Sequence, residues 1–106
     1  MRAGDLRDSI TIEARTSTPD GLGQPVPSWA PVVTVRAAIE PLGGRELVAA
    51  QALASEVQLK IRLRRRNDID PSMRIQHQGR HYGIVAVLPV SPSETHLLCR
   101  LGAADH

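Results

Sequence analysis

The sequence predicts a mainly β fold: a small six-stranded antiparallel β-barrel with one short α-helix inserted between strands 2 and 3. Several segments alternate apolar and polar residues, which is the period of a strand with one buried face. Eight Pro and eight Gly favour many turns. With no Phe, one Trp and one Tyr, the core must consist of Val, Ile, Leu and Ala, and the branched members of that set favour strands. Closing the sheet would remove its exposed edges.

A chain of 106 residues is expected to form a single domain over residues 1–106. Residues 1–7 are polar and predict a loose N-terminal arm. Alternation over residues 9–15 predicts the first strand. Residues 16–28 contain three Pro and two Gly and predict a long loop, which at this length is expected to be functional or mobile. The second strand is predicted at residues 32–40.

The predicted helix covers residues 45–54 and follows the turn sequence Pro41-Leu42-Gly43-Gly44. Its apolar face is predicted to consist of Leu47, Ala50, Leu53 and Ala54. A helix of about 10 residues is marginal in isolation. We therefore expect it to lie on a surface, either its own barrel or a neighbouring protein.

Residues 57–64 alternate most regularly and predict the third strand. The side chains expected to face inward are Val57, Leu59, Ile61 and Leu63. Those expected to face outward are Gln58, Lys60, Arg62 and Arg64. This strand is therefore expected to carry several cations along one outer face.

Residues 73–78 and 81–88 predict a hairpin whose central turn residues are Gly79 and Arg80, in a type II′ turn. Residues 95–101 predict the last strand. Trp29 is predicted to fill core volume rather than to anchor an interface. The residues expected to be mostly buried are Ile10, Ile12, Val35, Leu59, Ile61, Ile75, Ile84, Leu97 and Cys99.

The sequence offers no catalytic, cofactor-binding or metal-binding constellation. A metal site needs several converging His, Cys or carboxylate ligands, and the predicted hairpin places His77 and His81 on opposite faces. Cys99 falls in register with core positions and is expected to be a buried small hydrophobe rather than a nucleophile. The segment around Gly21 and Gly23 lacks the following helix and the Lys-Ser/Thr pair of a phosphate loop. We therefore predict a protein that is not an enzyme and has no cofactor.

Charge and Cys usage set weaker limits. The net charge of +2 and the pI of about 9.3 permit contact with nucleic acid without requiring it. Lys60 is the sole Lys among 13 basic residues, and Arg suits bidentate contacts with carboxylate or phosphate. A single Cys excludes an internal disulfide and fits a reducing cytoplasm. No apolar run approaches the roughly 20 residues that span a bilayer, so no membrane partner is predicted.

The one basic cluster consists of Lys60, Arg62, Arg64, Arg65 and Arg66. It is either a phosphate-facing stripe or a solvated strand face whose long side chains cover apolar surface. Single-strand binding is disfavoured because stacking aromatics are nearly absent. Base readout is disfavoured because no helix carries Arg, Asn and Gln together on one face. On sequence grounds the two interpretations of the cluster stay open.

Several short motifs follow one another along nearly the whole chain. They are Ala3-Gly4-Asp5-Leu6-Arg7-Asp8 before Ile10-Thr11-Ile12, Asp20-Gly21-Leu22-Gly23-Gln24, Trp29, residues 37–47, Ala50-Gln51, residues 68–74 and the hairpin at residues 79–84. In this order they resemble the head–tail joining proteins of tailed bacteriophages, which are also called head closure or stopper proteins.

The resemblance implies a structural virion protein that assembles as a ring, twelvefold in that family, below the portal of a phage, prophage or gene transfer agent. Such a ring joins the DNA-filled head to the tail and helps to retain the packaged DNA. Its implied partners are further copies of itself, a portal or adaptor protein, a tail or tail-terminator protein, and double-stranded DNA in the channel. The implied location is the head–tail interface of a virion that is assembled in the bacterial host cytoplasm. The family has no catalytic residues to carry over.

Two sets of residues are then candidates for assembly. The basic cluster would face either a neighbouring subunit or the DNA channel. The candidate interface loop and helix contribute Asp20, Gly21, Gly23, Gly43, Gly44, Arg45, Glu46 and Gln51. The alternative function is a stand-alone small β-barrel that binds nucleic acid non-specifically, which the basic cluster alone suggests.

Overall fold

The computed structural model describes residues 6–19 and 21–102, with the backbone alone at residues 18, 19 and 25–27. Its elements are β1 (Asp8–Pro19), β2 (Pro25–Pro41), α1 (Gly44–Leu53), β3 (Leu59–Arg64), β4 (Arg74–His77), β5 (Arg80–Leu88) and β6 (Glu94–Leu101). The strands close a barrel in the order β1-β2-β3-β6-β5-β4, and the paired strands are antiparallel. The predicted fold class is confirmed, including the helix between strands 2 and 3.

An aliphatic cluster fills the barrel interior. The predicted core is confirmed, because Ile10, Ile12, Leu59, Ile61, Ile75, Ile84, Leu97 and Cys99 are all buried. Val35 packs against this cluster but is only partly buried. Leu59, Ile61 and Leu63 face inward from β3 as their period of two predicts. Val57 is also fully buried, but it belongs to a second cluster on the outside of the barrel.

That second cluster lies between α1 and the outer side of the sheet, and it contains Leu42, Ala50, Val57 and Leu98. Leu47 and Ala54 pack against it, so two further residues of the predicted helix face are confirmed. The prediction was wrong for Leu53, which is 81% exposed. Leu47 and Leu53 are six residues apart and therefore point about 120° apart around the helix axis. Because the helix contacts the sheet along a narrow face that includes Leu47, Leu53 lies in solvent.

The long loop predicted at residues 16–28 is wrong. Most of it is a two-stranded ribbon, in which Thr16 pairs with Ser28 and their side-chain oxygens lie 2.7 Å apart. The Pro content misled the prediction because Pro is tolerated on strand edges that need no N–H donor. Pro25, Pro27 and Pro31 share one edge of β2, and pairing with β3 begins only at Ala37.

The predictions for the β4–β5 turn and for the N-terminal arm are also corrected by the structure. The turn between β4 and β5 is one residue earlier than predicted, because His77 pairs with Arg80. Gln78 and Gly79 are therefore the central residues, with φ of 51° and 79°, which fits a type I′ rather than a type II′ turn. Within the predicted loose arm, residues 1–5 lie outside the described part of the chain, while Leu6 is buried. No helix in the described ranges is long and apolar enough to span a bilayer.

Candidate assembly surface

The outer face of β3 carries the basic cluster, and its two neighbouring strands carry the acidic residues. Glu40 of β2 lies opposite Lys60, while Glu94 of β6 lies opposite Arg64. Directly opposite and diagonal residues on one face of a sheet are close enough for long side chains to interact. The pairing of β3 therefore decides which of its cations meet a carboxylate.

At one end of β3, which we call the carboxylate-rich end, Lys60 and Arg62 are enclosed by acids. Lys60 Nζ lies 3.7 Å from Glu40 Oε1 and forms a closer ion pair with Glu46 of α1. Arg62 Nε lies 3.1 Å from Glu40 Oε2, and its Nη1 lies 3.3 Å from Glu94 Oε1. The two basic side chains are only 15% and 23% exposed. This half of the predicted stripe is an internal ion-pair network that also ties the helix to the barrel.

The network perturbs the titration of its members. Partial burial tends to lower the pKa of Arg62, but the charges and hydrogen bonds of Glu40 and Glu94 outweigh it, so the pKa lies above its ordinary value. The hydrogen bond with His96, whose Nε2 lies 3.0 Å away, together with the single hydrogen bond and the charge of Arg62, holds the pKa of Glu94 below its ordinary value. Both groups therefore stay charged near neutral pH.

The other end of the basic cluster, the arginine end, consists of Arg64, Arg65 and Arg66. Arg64 is exposed and makes no ion pair with any described residue. Arg65 Nη1 donates to the carbonyl oxygen of Ser91 at 2.9 Å, which leaves its charge uncompensated. Arg66 donates two hydrogen bonds to Asp68 at 2.9 and 2.7 Å, and these lower the pKa of that carboxyl.

A cavity of about 340 Å³ opens at the arginine end. We call it the arginine pocket and define it by its lining: Leu6, Val35, Arg36, Leu63, Arg64, Arg65 and Arg66. Leu6 and Leu63 are 4% and 1% exposed and form an apolar floor with Val35. The four guanidinium groups supply the polar part of the lining, and none of the described residues that line the pocket is acidic.

Sequence reasoning missed Arg36 and Leu6 as members of this site. Arg36 stands in an apolar stretch of β2, 24 or more residues before the basic cluster, and donates to the carbonyl oxygen of Arg7 at 3.2 Å. Ala37 pairs with Leu63, and Arg36 pairs with Ser9. Only this long-range register brings the N-terminal segment, β2 and the end of β3 together.

A second basic group lies on another part of the barrel. Arg74 is buried, with its Nε 2.7 Å from Glu13 Oε1 and its guanidinium carbon 4.4 Å from the centre of the Trp29 ring. Trp29 was predicted to fill the core, and that prediction was wrong, since it is half-buried and lies outside both apolar clusters. Trp29 and Arg74, together with Arg15 and Arg100, line a smaller cavity of about 210 Å³.

The structure does not bring the predicted interface residues into one site. Gly21 and Gly23 are exposed at the tip of the β1–β2 ribbon, and Asp20 lies outside the described residues. Gly43 and Gly44 start the helix, where Gly44 has a φ of 57° that favours glycine.

The three remaining predicted interface residues lie on α1 and differ in their surroundings. Arg45 is exposed. Glu46 pairs with Lys60, while Gln51 donates from Nε2 to the carbonyl oxygen of Val57 at 3.0 Å. Glu46 and Gln51 therefore hold the helix in place, and their contribution to an interface stays a prediction.

The described residues allow two chemical sites to be checked, a metal centre and a nucleophilic thiol. Residues 6–19 and 21–102 contain no group of three His, Cys, Asp or Glu that could hold a metal ion. Burial raises the pKa of Cys99 to about 12, and a buried thiol that stays protonated is inert as a nucleophile.

Comparison with known proteins gives a match over nearly the whole chain. The family model described as phage head completion protein matches residues 1–103. The head completion protein gp7 of Enterobacteria phage HK97 is 26% identical over 110 residues, which cover 97% of this chain and 98% of that protein.

Two solved structures share the fold. The solution structure of protein SF1141 from Shigella flexneri 2a is 30% identical, has a TM-score of 0.80, and aligns over 97% of this chain and 98% of its own. A chain of the virion of a native gene transfer agent particle is 16% identical with a TM-score of 0.61, over 92% and 96% of the two chains. At that identity the second likeness shows the fold alone.

Proposed function

The chain belongs to the phage head completion protein family, and we propose that within its structural head–tail role it forms a ring below the portal. In this position it would join the DNA-filled head to the tail and help to retain the packaged DNA. Its neighbours would be a portal or adaptor protein on the head side and a tail or tail-terminator protein on the other. The observation that carries the proposal is the family match, which spans residues 1–103 rather than a local motif.

The surface of the subunit supports an assembled state. The strands of the barrel pair with one another, and unpaired edges run along the β1–β2 ribbon, where Pro25, Pro27 and Pro31 cannot donate a backbone hydrogen bond. Contacts between subunits would therefore use mainly side chains and projecting segments. Val48 and Leu53 are 71% and 81% exposed on the outer side of α1, and Leu22 is 87% exposed on the ribbon tip. A partner that covered these side chains would remove their apolar surface from water.

The charges favour a protein contact over a DNA-facing belt for the basic cluster. Lys60 and Arg62 already have Glu40, Glu46 and Glu94 around them. A compensated cation releases few counterions from DNA, so it adds little to phosphate binding. Any contact with DNA in the channel would therefore depend on the arginine end and would carry no sequence preference.

Deleting the gene from the phage or gene transfer agent that encodes the chain tests the structural role. We expect DNA-filled heads and separate tails in electron micrographs, with re-addition of the purified protein restoring joined particles. Joined, infectious particles in normal numbers without the protein would contradict the proposal.

Charge reversal then separates the two roles of the basic cluster. With Arg64→Glu and Arg65→Glu together, which leave the ion pairs of Arg62 intact, a joint that forms but leaks DNA would favour the channel role. Failure to form any joint, which we expect, would place the cluster in a protein interface. Arg80→Glu, on the exposed β4–β5 turn, is the matched control and should assemble normally.

A further inference from the structure

We propose that the arginine pocket binds an acidic segment of a neighbouring protein, with one aliphatic side chain of that segment in the pocket and its carboxylates on the arginines. The proposal rests on the proposed function only in taking the neighbour to be another protein of the same particle. It names a partner chemistry for a site that is formed within one subunit.

The floor of the pocket favours binding of an apolar group. Leu6, Val35 and Leu63 present aliphatic carbon, and Leu63 is part of the barrel core, so the floor is held rigidly. The cavity, at about 340 Å³, falls within the range of sites that enclose small ligands, about 300–1,000 Å³. A branched aliphatic side chain can enter it and remove apolar surface from water on both partners.

The four arginines of the lining form the rim of the pocket, and they favour a negatively charged ligand. Arg36, Arg64 and Arg65 form no ion pair with residues 6–19 or 21–102, and Arg66 alone has a carboxylate partner there, Asp68. Lys60 and Arg62, only a few residues away, are enclosed by three carboxylates. Uncompensated charge therefore lines the pocket, and each guanidinium can bind a carboxylate through two parallel hydrogen bonds.

Peptide fits this combination better than DNA does. A phosphodiester backbone brings negative charge but no aliphatic group for the floor. Bases would need aromatic platforms, and none of the described residues that line the pocket is aromatic. An acidic segment with an apolar side chain satisfies both the arginines and the apolar floor, which DNA does not.

Amide NMR on the ¹⁵N-labelled full chain tests the proposal with defined probes. The first probe is an acetylated and amidated pentapeptide with Leu between two pairs of Glu. The second replaces that Leu by Ala, and the third is a short DNA duplex at physiological salt. We expect the first peptide to shift the signals of Leu6, Val35 and Leu63 saturably. The Ala peptide should bind about tenfold or more weakly, because it leaves the apolar floor uncovered.

Matched variants locate the site. Arg64→Glu with Arg65→Glu should abolish the shifts, while Arg80→Glu, an exposed arginine outside the pocket, should leave them unchanged. Unperturbed spectra of the free variants establish that each one folds.

Three results would overturn the proposal. They are equal binding of the Leu and Ala peptides, stronger pocket shifts with duplex DNA than with the Leu peptide, and no saturable shift at all. The gene deletion described above scores joined particles and needs no peptide binding. A pocket that binds nothing in a protein that still joins heads to tails would therefore refute this inference and leave the ring proposal standing.

Discussion

Lys60 and Arg62 at the carboxylate-rich end of β3 and Arg64 to Arg66 at the arginine end belong to one continuous basic segment. At the first end, Glu40, Glu46 and Glu94 reach the two cations from β2, α1 and β6. At the second end, only Arg66 has a carboxylate partner among the described residues, and an apolar cavity opens beside it. Cations of the same kind thus hold the fold together at one end and are available to a partner at the other.

The difference between the ends lies in their neighbours and not in β3 itself. Exposed ion pairs contribute little singly, but the carboxylate-rich network is partly buried and links three elements. Uncompensated guanidinium groups add little to the stability of the fold. Without a partner that supplies negative charge, they attract anions non-specifically. Four substitutions test this contrast, from the largest expected effect to the smallest.

The largest effect should come from Ile61→Ala, because both ends depend on one strand whose inner side chains pack in the core. Ile61 is fully buried, and the cavity left behind should cost about 2–5 kcal/mol in the free energy of unfolding. Urea denaturation measures this, with Val48→Ala on the exposed side of α1 as the control. A loss below about 0.5 kcal/mol would mean that the faces of β3 are reversed.

Arg62→Ala should have the next largest effect. It leaves Glu40 and Glu94 without their shared cation and should reduce the free energy of unfolding by about 1 kcal/mol. Arg64→Ala, at the arginine end, should change it by less than about 0.5 kcal/mol. Equal losses for the two variants in the same urea experiment would remove the contrast between the ends.

The pH dependence should also separate the ends. The pKa of Glu94 is lowered by the folded state, so its contribution is present above the ordinary glutamate pKa of about 4.3 and is lost as the pH falls through the lower folded value. Glu94→Gln should therefore lose less stability than the unaltered chain when the pH is lowered from about 5 to about 3. Thermal unfolding across this range measures it, with Glu56→Gln, at an exposed position, as the control; parallel curves for Glu94→Gln and the unaltered chain would count against the network.

The smallest effect concerns DNA. A single subunit should bind duplex DNA weakly and with strong salt dependence, and Arg64→Ala should reduce the slope of log K against log salt by about one. Arg62→Ala should change the slope less, because its charge is already compensated. Fluorescence anisotropy at several salt concentrations measures both, and a larger change for Arg62→Ala would reverse the assignment of the two ends.

Much of the fold could be predicted from the sequence because the patterns that indicate it are local. The alternation from Leu59 to Leu63 predicts a strand with one buried face, and the apolar spacing of Leu47 and Ala50 predicts a packed helix. The order of the short motifs predicted the family. Residues 16–28 misled the prediction because Pro and Gly indicate a loop, whereas strand edges that need no N–H donor accept Pro.

The sequence by itself determined that β3 has an apolar inner face and a basic outer face, because side chains alternate along any strand. Only the tertiary structure decided which cations are compensated. Glu40 and Glu94 stand 22 and 32 residues from Arg62, and the closure of the barrel in the order β2-β3-β6 brings them beside it. The same closure brings Leu6 and Arg36 to the arginine end. Strand neighbours and register depend on long-range pairing and on the packing of the whole core, and no local pattern in the chain specifies them.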